Sequence, residues 1–176
     1  MVVDEAHVIN LPERTDRLDL FRKQWVGACP LHIVSARRNR IVPMLGCKQS
    51  HYDALYGTGN ILVLEDDVTF APNFWHAIEQ LNPPPHWEMI QLGGRHLSMP
   101  VPYDTGMVRC TQTDMTHAYI VRNPEEWIRD ASQHYPGLAI DIVYNRLHLR
   151  RYAPVNWIAG QLPGYSDIAL TWREHS

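Results

Sequence analysis

Residues 61–70, ILVLEDDVTF, set Glu65, Asp66 and Asp67 side by side directly after four apolar residues. Three adjacent carboxylates repel one another, and an apolar run leading into them carries them toward low dielectric, where that repulsion grows. A hard divalent cation relieves it. Mg²⁺ or Mn²⁺ takes oxygen ligands, commonly one or two carboxylates, and fills its shell with substrate phosphates. Alternate residues leaving a strand face the same side, so Asp67 is the first candidate for direct ligation and Glu65 the second, with Asp66 turned to the opposite side. The competing reading is a solvated acidic loop, which needs no ligand. A cation held there would neutralise charge on a leaving phosphate, and many reactions use that, so the triplet alone does not choose among them.

The elements that must position these acids are read from periodicity. Residues 61–64 are continuously apolar, as in a parallel strand covered on both faces, and ligands in such sheets sit beyond the carboxyl ends of the strands, where the acids emerge. Residues 7–11 read as a strand stopped by Pro12, and Leu18, Phe21 and Trp25 follow at helical spacing. Residues 31–34 give a second strand, and residues 47–56 a helix with Cys47, His51 and Leu55 on one side. Phe74, Ile78 and Leu81 mark a helix ended by Pro83, Pro84 and Pro85; residues 89–92 a strand closed by Gly93 and Gly94; residues 118–121 another strand; and Ile140, Val143, Tyr144 and Leu147 a further helix. Strand and helix alternate, which predicts an α/β class with a mostly parallel central sheet flanked by helices. Residues 95–116 carry no clear period and are expected to form a loop or an antiparallel excursion.

With 176 residues, 45% of them hydrophobic, the chain suits a single domain over 1–176. A net charge of -3 excludes a large basic field of the kind that binds nucleic acid nonspecifically. Arg37, Arg38 and Arg40 form a local basic cluster, either a solvated loop or a contact for an anionic acceptor. Three widely spaced cysteines, Cys29, Cys47 and Cys110, suggest a reducing compartment, and no apolar run reaches the roughly 18 residues of a membrane helix, so a cytoplasmic protein without a transmembrane segment is expected.

Six segments, VINLPERTDRL, GCKQSHYDAL, LVLEDDV, QLGG, THAYIV and GQLPGYSDIAL, lie in order between Val8 and Leu170. In sequence and spacing they resemble glycosyltransferase family 25, the lipooligosaccharide and procollagen glycosyltransferase group. The resemblance implies a GT-A fold, a nucleotide-sugar donor (a UDP-sugar foremost) and a divalent cation, usually Mn²⁺, at the Glu65-Asp66-Asp67 position. It implies a hydroxyl acceptor on a glycan or lipooligosaccharide. The chain is short for the family, and the deficit falls on the parts that shape the acceptor site. A modified nucleic-acid base therefore stays as an alternative acceptor, and a non-catalytic nucleotide-sugar-binding domain as an alternative function.

The same resemblance assigns roles to residues. Asn10, Leu11, Arg14 and Arg17 would meet the nucleotide and its phosphates, although Arg14 and Arg17 also fit the charge pattern of a helix start. Ser50 and His51 would contact the donor, and His117 with Tyr119 would line the sugar pocket; a satisfied buried histidine and a core tyrosine are the structural alternatives. Asp66 would hydrogen-bond the sugar or brace a loop. Gln161 and Asp167 would close over the donor, and His175 is a further candidate for the metal shell. Inverting transfer needs a base on the acceptor hydroxyl, and Asp141 is the candidate, against the ordinary preference of acids for first helical turns.

Overall fold

The architecture is built around β3 (Asn60–Glu65), whose apolar run is buried on both faces. Leu62 and Leu64 pack with Phe21, Phe74 and Ile78 on one side, while Ile61 and Val63 pack with Leu55, Tyr119 and Tyr144 on the other. A side-chain period of two then splits one continuous hydrophobic string into two cores. β1 (Glu5–Asn10) and β2 (Leu31–Ser35) continue the sheet in parallel on one side of β3. α1 (Thr15–Gln24) joins β1 to β2 and buries Phe21 on the first face. α2 (Pro43–Ala54) returns over the second face to β3; it begins at Pro43, earlier than the expected residue 47, because a proline at the first helical position loses no intrahelical bond. In this computed structural model the described residues are 1–27, 29–124, 131, 134–166 and 171–173, with no side chain described for 164–166 or 171–173.

Beyond β3 the chain runs through β4 (Val68–Phe70), α3 (Phe74–Gln80) and β5 (Met89–Gln91). The unreadable residues 95–116 resolve into short antiparallel pieces: β6 (Arg95–His96), β7 (Val101–Pro102), β8 (Met107–Arg109) and β9 (Thr113–Asp114). Then come β10 (Ala118–Arg122), α4 (Ile140–Arg146), β11 (Arg151–Pro154), β12 (Ala159–Gln161), β13 (Gly164–Ser166) and β14 (Thr171–Arg173).

The main sheet has eight strands in the order β2-β1-β3-β10-β5-β11-β8-β7. Six run one way, and β10 and β8 run against them, so the sheet is mostly parallel in direction although β10 enters between β3 and β5 antiparallel to both. α1 and α3 contribute to one core and α2 and α4 to the other. The chain leaves β1 outward to β2 and comes back past β1 to β3. Such a reversal makes the carboxyl ends of β1 and β3 the usual ligand position of an open α/β sheet. Asn10 closes β1 there and Glu65 closes β3. No described helix is long and apolar enough to cross a membrane, and all three cysteines are free thiols.

Candidate active site

β3 stops at Glu65, and Asp66 and Asp67 form a turn into β4. The Glu65 amide donates to the His117 carbonyl at 2.9 Å on the β10 side, and the Asp66 amide to the Ile9 carbonyl at 3.1 Å on the β1 side. Two sheet ladders therefore fix the acids from both flanks. The expectation that Asp66 points away from Asp67 does not hold. A single guanidinium nitrogen, Arg17 Nη1, donates to Asp66 Oδ1 at 3.3 Å and to Asp67 Oδ2 at 2.8 Å. The alternation fails because the strand ends one residue earlier, and the turn swings both aspartates to the Arg17 side.

Each aspartate has an amide as well. Asn10 Nδ2 donates to Asp66 Oδ2 at 2.6 Å and to the Arg14 carbonyl at 3.1 Å, which ties the end of β1, the following turn and the acid together. Gln161 Nε2 donates to Asp67 Oδ1 at 3.1 Å, and the Leu162 amide donates to the Asp67 carbonyl at 2.7 Å, so the end of β12 is tied to Asp67.

Glu65 takes a different set of partners. Thr116 Oγ1 donates to its Oε1 at 3.1 Å, and His51 Nε2 stands 3.4 Å from the same oxygen. His51 Nδ1 lies 2.8 Å from the Tyr119 hydroxyl, which is 2.9 Å from the Tyr144 hydroxyl. With Nε2–H aimed at Glu65, Nδ1 accepts from Tyr119, and a relay of hydrogen bonds runs from the second core to the carboxylate. His51 is thus a buried, satisfied histidine that also touches the acidic site. Tyr119 is fully buried and belongs to the core rather than to a sugar pocket. His117 is different: its ring is buried, yet neither nitrogen has a hydrogen-bond partner. A Cβ at Gly93 would come within 2.3 Å of His117 Nε2, so the glycine of QLGG makes room for that ring.

Burial pushes the Asp66 carboxyl up, the Asp67 charge pushes it further, and the Asn10 and Arg17 contacts offset this only in part, leaving it at about 6. Burial and the Glu65 charge raise Asp67 as well, against Arg17, Gln161 and His117. For Glu65, burial works upward, but the His51 hydrogen bond and charge, with His117 and Thr116, outweigh it and hold the carboxyl below its usual range. The site therefore contains one carboxylate kept ionised and two that carry an electrostatic penalty.

The remaining predicted residues divide. Arg14 grips the exposed Asp16 through Nε at 3.0 Å and Nη2 at 3.1 Å, and Leu11 contributes its carbonyl to the Arg14 amide in the turn after β1. Ser50 is not turned toward a donor: its hydroxyl donates to the Gly46 carbonyl at 2.8 Å and accepts from the Arg37 amide at 2.7 Å, which fixes the preceding loop to α2. Asp141 occupies the first turn of α4, where its Oδ1 accepts from the Ile142 amide at 2.8 Å. The Cys47 thiol on α2 is pushed well above its usual range by burial first, then by the charges of Glu65, Asp141 and Asp67. Arg37 pairs with Asp53, Arg38 with Glu13, and Arg40 is exposed, as expected of a solvated loop. Asp167 and His175 lie outside the described residues.

Two participants went unrecognised in the sequence. Thr116 stands in THAYIV just before β10, after Met115 with a φ of 68°, a conformation uncommon for a non-glycine residue. Tyr144 reads as one more apolar position of α4 and is the far end of the relay. Among the described residues the three acids do not form a ready three-ligand set, since Arg17 stands between the aspartates. The donor set still fits a hard divalent cation, because such an ion needs one or two protein carboxylates and takes phosphate oxygens for the rest. The orphaned His117 ring beside the acids adds a nitrogen without another use.

No protein-family model and no curated protein sequence matches the chain, so membership of family 25 has no support beyond the segments quoted above. Two solved glycosyltransferases are similar in backbone. One is a Drosophila β-1,4-galactosyltransferase 7, a point mutant in complex with manganese, UDP-galactose and xylobiose, with a TM-score of 0.55 and 13% identity over 93% of this chain and 72% of that one. The other is a glycosyltransferase involved in glycosylation of the major capsid of PBCV-1, with a TM-score of 0.52 and 11% identity over 86% of this chain and 81% of that one. At such identities the likeness is one of fold, that of GT-A glycosyltransferases.

Proposed function

We propose that the protein is a metal-dependent glycosyltransferase that moves a sugar from a nucleotide-sugar donor, a UDP-sugar, to a hydroxyl of a glycan or lipooligosaccharide acceptor, with inversion. The observation that carries this reading is the pair of buried aspartates sharing one guanidinium at the carboxyl ends of β1 and β3. A structural ion pair has no need of two acids per arginine, and the excess negative charge suits a cation bound together with a diphosphate. Asp67 and Glu65 would hold the cation, Mn²⁺ foremost or Mg²⁺. When bound, it neutralises the charge that develops on the leaving nucleotide diphosphate.

The chain's own groups do the rest. The His51 and Thr116 contacts keep Glu65 ionised and oriented, so that its second oxygen is available without a proton to displace. Arg17, freed from the aspartates once their charge is shared, turns to the diphosphate, for which a guanidinium fork is well shaped. Asn10 keeps Asp66 in place to accept from a sugar hydroxyl, and Gln161 holds Asp67 from β12. Asp141 takes the proton of the acceptor hydroxyl as its oxygen bonds to the anomeric carbon and the bond to the diphosphate breaks. The free thiols and the cytoplasmic supply of nucleotide sugars fit a cytoplasmic enzyme of surface-glycan synthesis.

Thermal unfolding with a panel of nucleotide sugars, with and without Mn²⁺, tests the reading, because a ligand of the native state alone raises apparent stability by mass action. A UDP-sugar is expected to raise the midpoint only when Mn²⁺ is present, with UDP released over time. The same panel without any metal-dependent shift would remove the proposal.

A further inference from the structure

A second polar cluster lies on β1 and the neighbouring edge strand β2. His7 of β1 and His32 of β2 stand directly across from each other in the parallel ladder, and Glu5, two residues before His7, shares its face. Glu5 Oε2 lies 3.5 Å from His7 Nε2 and 3.3 Å from His32 Nε2. All three ligand atoms fall within 4.8 Å of one another, the one such set among the described residues.

The hydrogen bonding around His7 makes this more than a surface cluster. The ring is fully buried, and Nδ1 is 2.6 Å from the Ala54 carbonyl, which can only accept, so Nδ1 carries a hydrogen. In the neutral ring Nε2 is then a bare lone pair, and it is buried with no hydrogen-bond partner. What it faces is the Glu5 carboxylate, a second electron-rich atom. Two acceptors opposed in this way, one of them 22% exposed, call for a positive charge between them, either a proton on Nε2 or a metal ion. His32, 45% exposed in its side chain, reaches the same oxygen from the solvent side.

Two of the three ligand separations suit a small tetrahedral ion. With ligand bonds of about 2.0–2.1 Å, the edges of a tetrahedron around Zn²⁺ are about 3.4 Å long, and the observed separations of 3.3 and 3.5 Å match that edge. A carbonyl on the far nitrogen of a histidine is also the usual support of a metal-bound imidazole, since it fixes the tautomer and the ring plane. Two further contacts hold the cluster. Tyr56 stacks on His7 with centroids 4.3 Å apart. Gly57, at a φ of +102°, lies so close to Glu5 that a Cβ there would meet Oε1 at 2.1 Å, so the loop presses on the oxygen that does not face the histidines.

We propose that Glu5, His7 and His32 form a binding site for a single transition-metal ion, Zn²⁺ by ligand type and spacing, with a fourth position open to solvent. The ion joins β1 to the edge strand β2 and holds the sheet at the end remote from the acids. Nothing in this site depends on the glycosyltransferase reading, and the two stand or fall separately.

The test uses the full chain freed of metal by chelator and titrated with Zn²⁺, with bound metal measured after dialysis and Co²⁺ substitution followed by visible absorption. One Zn²⁺ per chain is expected, with the intense visible bands of tetrahedral Co²⁺. His7→Ala removes a fully buried ring and is prone to misfold, so the informative variants are His32→Ala, at an exposed position, and Glu5→Gln. Each should keep the wild-type far-ultraviolet spectrum and bind Zn²⁺ at least about 100-fold more weakly, while Asp67→Ala should bind it as the wild type does. Unchanged Zn²⁺ affinity in His32→Ala, or loss of the ion in Asp67→Ala in its place, would overturn the site.

Discussion

The carboxyl ends of β1 and β3 and the amino ends of β1 and β2 solve the same electrostatic problem in different ways. At the carboxyl end three carboxylates are crowded, and the chain supplies partial relief from within: Arg17 for both aspartates, amides from Asn10 and Gln161, and His51 with Thr116 for Glu65. At the amino end one carboxylate faces two imidazoles, and the buried Nε2 of His7 has no hydrogen-bond partner, only the Glu5 carboxylate at 3.5 Å. The first cluster is rich in oxygen and stays partly charged until something cationic joins it. The second is rich in nitrogen and spaced for a smaller, softer ion. Ligand chemistry therefore separates the two clusters even though β1 serves both.

Substitutions break this comparison in a graded way. Asp67→Ala should have the largest effect, lowering transfer by about four orders of magnitude through loss of charge neutralisation at the leaving group, with the Mn²⁺-dependent thermal shift abolished and the fold intact. Asp141→Asn should retain donor binding and lose roughly two to four orders of magnitude in transfer, read by single-turnover kinetics with a saturating donor. Near-normal transfer would return Asp141 to the ordinary role of an acid in a first helical turn.

Arg17→Ala leaves two buried carboxylates without their guanidinium, which should cost about 3 kcal/mol in chelator by denaturant unfolding, with Mn²⁺ plus UDP recovering part of the loss. The smallest effect sharpens the contrast through pH. Asp66 is raised from 3.8 to about 6 in the folded chain, so the native state binds more protons than the unfolded state between those values. Its favourable contribution is complete below 3.8 and is lost as pH rises through about 6, amounting to about 3 kcal/mol. Asp67 is displaced in the same direction. Metal-free Asp66→Asn should therefore be more stable than the wild type at pH 7 by about 1–2 kcal/mol, and the gap should close at pH 4. A less stable variant at pH 7 would mean that Arg17 and Asn10 already relieve the charge in full.

Much of the scaffold was legible because burial leaves a periodic trace. Residues 61–64 identified a strand covered on both faces, and the spacing of Phe74 and Ile78 identified α3. The direction of β10 was not legible, since residues 118–121 carry the same apolar pattern whichever way they pair, and nothing local records partners as distant in sequence as β3 and β5. The position of the acids beyond β3 could be read, whereas their facing could not: alternation holds within a strand and lapses in the turn that begins at Asp66. Ser50 was assigned to the donor on resemblance, and its hydroxyl turned out to be used by Gly46 and Arg37, contacts set by the path of the loop before α2. The amino-end cluster left no signal, because two histidines 25 positions apart become neighbours only through the register of β1 and β2.

The most direct test of the central claim is a Mn²⁺ titration followed by the electron paramagnetic resonance of the free ion, with UDP present, on the wild type and on Asp67→Ala. The account predicts one strongly bound Mn²⁺ per wild-type chain that depends on UDP, and its loss in the variant. Equal Mn²⁺ binding by both proteins, or UDP binding indifferent to the metal, would contradict it.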